Sequence, residues 1–328
     1  MNKIVKLLTL IFILALAILA VETSEKPQSL SDYESGFLPL FDDFTVYKNF
    51  KKESVEQEPK DLSKFTPKSS NELLNEIRES PYGFGHDEPA LVLSSRLEAR
   101  KLILDNFKGA DDYFLLCLVN ILSNMPSSQR DAAFKDMLIN KSKFTDDYLR
   151  WSYIIPMMLS LAVSKSPDSI PIISKYASSE SEDMNIRAYA RVALNILGKP
   201  SIDNNFPFSF DFNEGISSLM KESFKDVYLE ISRDLLNHGL LTCDRTIPGK
   251  GIFKVYEVKI REREIEFNGS LPDKAGSWQL IFGKEKEGKV PLYYEWFTGG
   301  LASAGYLGVV QKKEGRWLCL FWKQMFIS

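Results

Sequence analysis

The chain has 328 residues, 44% of them hydrophobic and 26% charged, with a net charge of −3. That is the composition of a globular protein long enough for two domains, and it carries no basic field to recruit nucleic acid or anionic lipid. The 2 histidines, His86 and His238, exclude a multi-histidine metal site; the 3 cysteines lack the CxxC spacing of a zinc ribbon or a thioredoxin motif, so no cofactor is implied.

Lys3 and Lys6 precede the apolar run Leu7 to Val21, which contains Ala15, Ala17 and Ala20. A positive n-region, a short h-region and small residues for cleavage define a secretory signal peptide over residues 1–20, which predicts an exported protein of the periplasm, cell envelope or extracellular space. The run is short for a bilayer span, which needs ~20 apolar residues. A retained N-terminal anchor is the alternative, and no other membrane span is expected. Export makes disulfides available, and Cys243 with Cys319 is the pair to consider; Cys117, inside FLLCLVNIL, reads as a small core residue. Residues 21–70 are polar and punctuated and read as a mostly disordered linker. Within them the island GFLPLFDDFTVYKNF, Gly36 to Phe50, is expected to dock its aromatics on the body of the protein, with a short partner-binding segment as the alternative reading.

Residues 71–200 read as successive helices, Pro89 to Phe107 among them. Asp111-Asp112-Tyr113-Phe114 recurs as Asp146-Asp147-Tyr148-Leu149 and, more loosely, as Glu182-Asp183-Met184-Asn185. The second follows the first by 35 positions and the third follows the second by 36. Each acidic pair opens a long apolar helix, where a carboxylate accepts from the free N–H groups and favours the positive helix end. A shorter second helix follows in the first two units, Ser128 to Asn140 and Pro167 to Ser178. Two helices per unit at that period is the pattern of an α-solenoid.

The third unit, SIPIISKYASSESEDMNIRAYARVALNILGKP, resembles a HEAT-like repeat of the phycobilisome-lyase type. Asp183 stands in the inter-helix turn, followed by Ile186-Arg187, Ala190, Ala193-Leu194, Leu197 and Gly198. In the second unit Asp146 and Arg150 fit and Pro156 replaces the small residue; in the first, Leu115 stands where the arginine belongs. The resemblance covers about residues 111–200 and implies a stacked-helix fold without importing lyase activity.

After Ser201 the texture changes. The loop SIDNNFPFSFDFNEG leads to a helix from about Glu214 to His238, which Gly239 stops. Strands are expected at Leu240 to Thr246, Ile252 to Phe267, Ser277 to Phe282, Val290 to Thr298, Ala304 to Gln311 and Arg316 to Met325. The RERE run, Arg261 to Glu264, is expected to alternate along the second of these, and Lys312 to Gly315 to form a hairpin turn. Short connections make the sheet antiparallel. The predicted fold class is α+β: an N-terminal α-solenoid of HEAT-like helix pairs over residues 71–200, then a C-terminal helix and antiparallel-sheet roll over residues 201–328.

No GxxxxGK[ST] loop or GxSxG motif is present, and no catalytic, cofactor-binding or metal-ligating residue is assigned. In His86-Asp87-Glu88, Asp87 reads as a helix cap. The C-terminal aromatics are more suggestive: Tyr294 and Trp296 share one strand face, Tyr293 and Phe297 the other, and Trp322 opposes Phe321. Tyr294, Trp296, Tyr306, Trp317 and Trp322 are the candidate partner-binding residues, with a core and domain-interface role as the competing reading. The expected function is an exported, non-enzymatic interaction or scaffold protein that binds a protein or peptide through the helical groove or the aromatic sheet face. The alternative is an enzyme or small-ligand binder with its site in the cone of the sheet. That alternative requires a perturbed carboxylate in a pocket, with Glu257, Glu266 and Glu295 the candidates.

Overall fold

The computed structural model describes residues 28–55, 62–79, 87–140, 147–200, 209–212, 227–241, 252–270, 276–298 and 302–327. The predicted signal peptide, His86, Asp146, Cys243, the first part of the Glu214–His238 helix and the strand expected beyond Leu241 lie outside these residues. Helices α1 (Leu30–Ser35) and α2 (Thr45–Val55) flank a 3-10 turn at Leu38–Phe41. A helical run follows: α3 (Ser70–Glu79), α4 (Asp87–Ser94), α5 (Ala99–Phe107), α6 (Asp112–Ser123), α7 (Ser128–Ile139), α8 (Asp147–Val163), α9 (Ile170–Ser178) and α10 (Met184–Ile196). The C-terminal part contains β1 (Ser209–Phe212), α11 (Tyr228–Asn237), β2 (Ile252–Ile260), β3 (Glu264–Ser270), β4 (Gly276–Gly283), β5 (Lys289–Thr298), β6 (Ala302–Lys313) and β7 (Arg316–Ile327).

The helix ends follow local chemistry. Asp111 accepts from the Phe114 amide at 2.9 Å, and Asp183 accepts from those of Asn185 and Ile186 at 2.8 and 3.3 Å. Gly198 ends α10 with φ of 68°, and the amides of Gly198 and Lys199 return to the carbonyls of Asn195 and Leu194. This is the paired-bond termination that a left-handed residue permits. The helix expected from Pro89 to Phe107 is broken into α4 and α5, because the Ser94 and Ser95 hydroxyls bond back to the carbonyls of Leu91 and Val92 and compete with the helical pattern.

Among the helices, α10 packs on α8 and α9, α8 on α6 and α7, and α9 on α7. The sheet has the order β1-β2-β3-β4-β5-β6-β7: β2 to β7 form an antiparallel meander, as the short connections predicted. Two details differ from expectation. Part of the Phe-rich loop is strand β1, which pairs parallel with β2 at the sheet edge. The RERE run is a tight turn between β2 and β3, closed by reciprocal amide–carbonyl bonds between Arg261 and Glu264. Charge alternation continues through that turn with no Gly or Pro to mark it, so the sequence reads as one long strand.

One continuous core, from Leu73 in α3 to Trp322 in β7, joins the helices to the inner face of the sheet. Both α10 and α11 rest on edge strand β7. Leu320 is an extra residue in β7, because Val309 faces Phe321 while Val310 faces Cys319. Bulging there releases carbonyls from the ladder. The Asn195 amide donates to the Cys319 carbonyl at 3.1 Å and the Tyr33 hydroxyl to the Leu320 carbonyl at 2.8 Å. The edge strand is thus covered from both sides. Cys319 is a free buried thiol, and Cys117 is buried as expected.

The outer face of the sheet has its own smaller core. Phe37, Phe41, Phe44 and Tyr47 pack on Ile281, Tyr293, Leu307, Val309 and Phe321. Phe37 stacks on Phe321 with ring centroids 5.2 Å apart. Residues 30–55, inside the segment expected to be mostly disordered, are therefore ordered as helices by the docking of the aromatic island. They form a strap that rounds edge β7 and crosses the sheet. No helix among the described residues is long and apolar enough to cross a membrane.

Candidate functional site

Strand alternation puts the predicted partner-binding aromatics on the inner face, where the helices cover them. Tyr294, Trp296, Trp317 and Trp322 are 1%, 7%, 4% and 5% exposed, and Tyr306 is half-buried. Tyr294, Tyr306 and Trp322 form a stack with centroids 5.6 to 6.3 Å apart. Trp317 donates its backbone amide to Asp234 at 2.7 Å and its indole N–H to Glu230 at 3.3 Å, which seats α11. Tyr294, Trp296, Trp317 and Trp322 are buried in the core shared by helices and sheet, and Tyr306 keeps part of its ring accessible. Large aromatic faces are stabilised by removal from water, which is nearly complete for Tyr294, Trp296, Trp317 and Trp322. The sequence assigned the faces correctly: Tyr293 and Phe321 belong to the outer core, Tyr294 and Trp322 to the inner.

The three candidate carboxylates all lie on the outer face, in two adjacent cross-strand rows. One row runs Glu257, Asn268, Gln279, Glu295, Gly305 across β2 to β6. Glu266 lies in the neighbouring row, 5% exposed; it accepts from Arg261 at 3.0 Å, from Asn268 at 3.4 Å and from Gln279. Glu264, equally buried, accepts from the Thr45 amide of the strap at 2.9 Å. Arg261 and Arg263, expected on one strand face, diverge at the turn: Arg261 goes to Glu264 and Glu266, Arg263 to Asp43. Glu295 is half-buried. Burial raises its pKa above the usual carboxylate value, and a hydrogen bond from the Tyr293 hydroxyl at 2.8 Å opposes that shift.

A cleft of about 470 Å³ lies where the end of α10 meets the β6–β7 hairpin. Glu314 and Gly315, with φ of 53° and 80°, make the two-residue turn with both centres left-handed. That turn makes Lys313 and Arg316 a cross-strand pair. Lys199 follows the α10 cap, and a Cβ placed on Gly198 would lie 3.7 Å from the Lys313 ammonium. Pro200 and buried Leu318 supply apolar wall. None of Glu257, Glu266 or Glu295 lines this cleft. Lys199, Lys313 and Arg316 do not stand out in the sequence, because GKP and KKEGR read as a helix stop and a turn; the density of basic residues at two punctuation points is the available signal.

His238 ends α11, where its Nδ1 is shut off from solvent. Burial lowers its pKa to about 4, with the charges of Arg191 and Arg316 adding to the shift. Among the described residues no group of three or more His, Cys, Asp or Glu is placed to hold a metal ion. Comparison with known proteins gives no match: no family model, curated protein or solved structure is similar to the chain.

Proposed function

We propose that this is an exported, non-enzymatic interaction protein in which a short HEAT-like solenoid, α6 to α10, is fused to an α+β sheet domain. The observation that carries the reading is the set of bonds between successive units. Arg150 of the second unit forms a two-pronged ion pair with Glu182 at the opening of the third. The Tyr176 hydroxyl donates to the Leu138 carbonyl at 2.8 Å, joining the second helices of neighbouring units. Stacked units of this kind bind through extended surfaces rather than an enclosed site, and α7 and α9 form the second row of the stack. The test is crosslinking of the exported protein in its native envelope or culture. Crosslinks to a protein partner that map to the helical rows, and weaken in Ile139→Glu, support the role; recovery of no partner together with a co-purifying small molecule overturns it.

A small-ligand or enzyme site on the sheet is the second reading, favoured by the raised pKa of Glu295 at a half-buried position beside Gln279. It predicts a ligand whose binding is lost in Glu295→Gln, and retention of binding in that variant removes it.

A further inference from the structure

We propose that the seam cleft binds carboxylates of a short acidic peptide segment of a protein partner, an assignment that rests on the interaction role above. Lys199, Lys313 and Arg316 open into a space of about 470 Å³, within the ~300–1,000 Å³ range of clefts that hold ligands. No ion pair involves any of the three among the described residues, whereas Lys312, next in sequence, reaches Glu230 at 2.7 Å. Asp234 and His238 sense the Arg316 charge through space without bonding it. One lining carboxylate, Glu314, faces three cations. Such a group of like charges repels itself, and bound carboxylates would relieve that repulsion.

The cleft chemistry favours a peptide over a compact inorganic anion or a nucleic acid. Leu318 and Pro200 offer apolar wall to the methylene groups of Glu side chains, which a phosphate lacks. A net charge of −3 opposes approach of a long polyanion while leaving the local field intact. Arg316 presents a planar fork that matches a carboxylate in two-pronged fashion, and the lysines add point charges.

The test uses the purified protein with labelled hexaglutamate and, as the neutral control, hexaglutamine, read by fluorescence polarisation. Hexaglutamate is expected to bind with an affinity that falls as salt rises, and hexaglutamine not to bind. Lys313→Ala and Arg316→Ala should each weaken binding about three- to fivefold, and the double variant about tenfold or more. Lys101→Ala, at an exposed position on α5, should leave it unchanged. All three side chains are exposed, so unaltered thermal melts are expected. Undetectable hexaglutamate binding, or equal binding to the double variant, overturns the site. Tighter binding of inorganic phosphate or of an oligothymidylate overturns the peptide assignment. The probe is synthetic, so loss of this site with native crosslinks to the helical rows retained removes the cleft alone; absence of every native partner removes the interaction role itself.

Discussion

Replacing Gly283 with Ala tests whether the N-terminal strap is bound to the sheet by close packing. Gly283 sits on the outer face at the end of β4, directly beneath Phe44, which is 1% exposed. A Cβ there would lie 2.4 Å from Phe44 Cε2, 2.7 Å from Cζ and 3.0 Å from Pro291 Cγ. Carbon atoms rest at ~3.5–4.0 Å, so the ring must withdraw by about 1 Å. The Gly283 backbone is not left-handed, so the cost is steric. Overpacking of this kind costs about 1–3 kcal/mol, and the ceiling is the ~3–5 kcal/mol of losing a buried Phe altogether. Urea unfolding would give the loss, and proteolysis within Thr45–Val55 would report strap release. In a Phe44→Ala background the added methyl enters vacated space, so its cost should fall below about 0.5 kcal/mol and the cycle should show a coupling of at least about 0.5 kcal/mol. An equal cost in both backgrounds would refute contact between strap and strand as the cause.

Arg150→Ala should lower stability by about 1–3 kcal/mol in urea unfolding, because it removes a two-pronged ion pair to the Glu182 side chain, which is 2% exposed; Glu182→Gln added to it should restore part of the loss. His238, with its pKa lowered from 6.5 to about 4, is neutral in the fold and charges more readily in the unfolded chain. Stability is therefore complete above pH ~6.5 and falls toward pH ~4 by about 3 kcal/mol from this group; His238→Gln should flatten that window in a pH series of thermal melts. Glu295 has its pKa raised by burial, so the fold holds its proton more tightly than the unfolded chain does, and stability from this group is lost as pH rises through the raised pKa. Glu295→Gln should consequently stabilise the protein at neutral pH and leave it unchanged in acid, as melts at the two pH values would record.

Features that depend on near neighbours along the chain are legible in the sequence itself. Asp111 and Asp183 cap helices because the carboxylate meets amides two or three residues on. Gly198 closes α10 because only its own backbone need turn left-handed. The antiparallel meander follows from short connections, and the two faces of β5 from simple alternation. The RERE turn escapes such a reading because nothing local marks it, and β1 because a four-residue strand takes its identity from a partner about forty positions away.

What covers each sheet face depends on the whole chain. Alternation sorts Tyr294 from Tyr293 but cannot say that helices lie over one and a strap over the other. Whether an aromatic row is a binding surface or a seam depends on the apolar area of elements far away in sequence. The strap itself has too little apolar surface to fold alone and becomes ordered against the outer face of β4 to β7. The basic cleft has the same origin: Lys199 and Arg316 are 117 positions apart, and only the packing of α10 on edge strand β7 brings their charges to one opening. Local propensity and periodicity wrote the elements into the sequence; long-range burial, which no short window contains, decided which surfaces were covered and which stayed exposed.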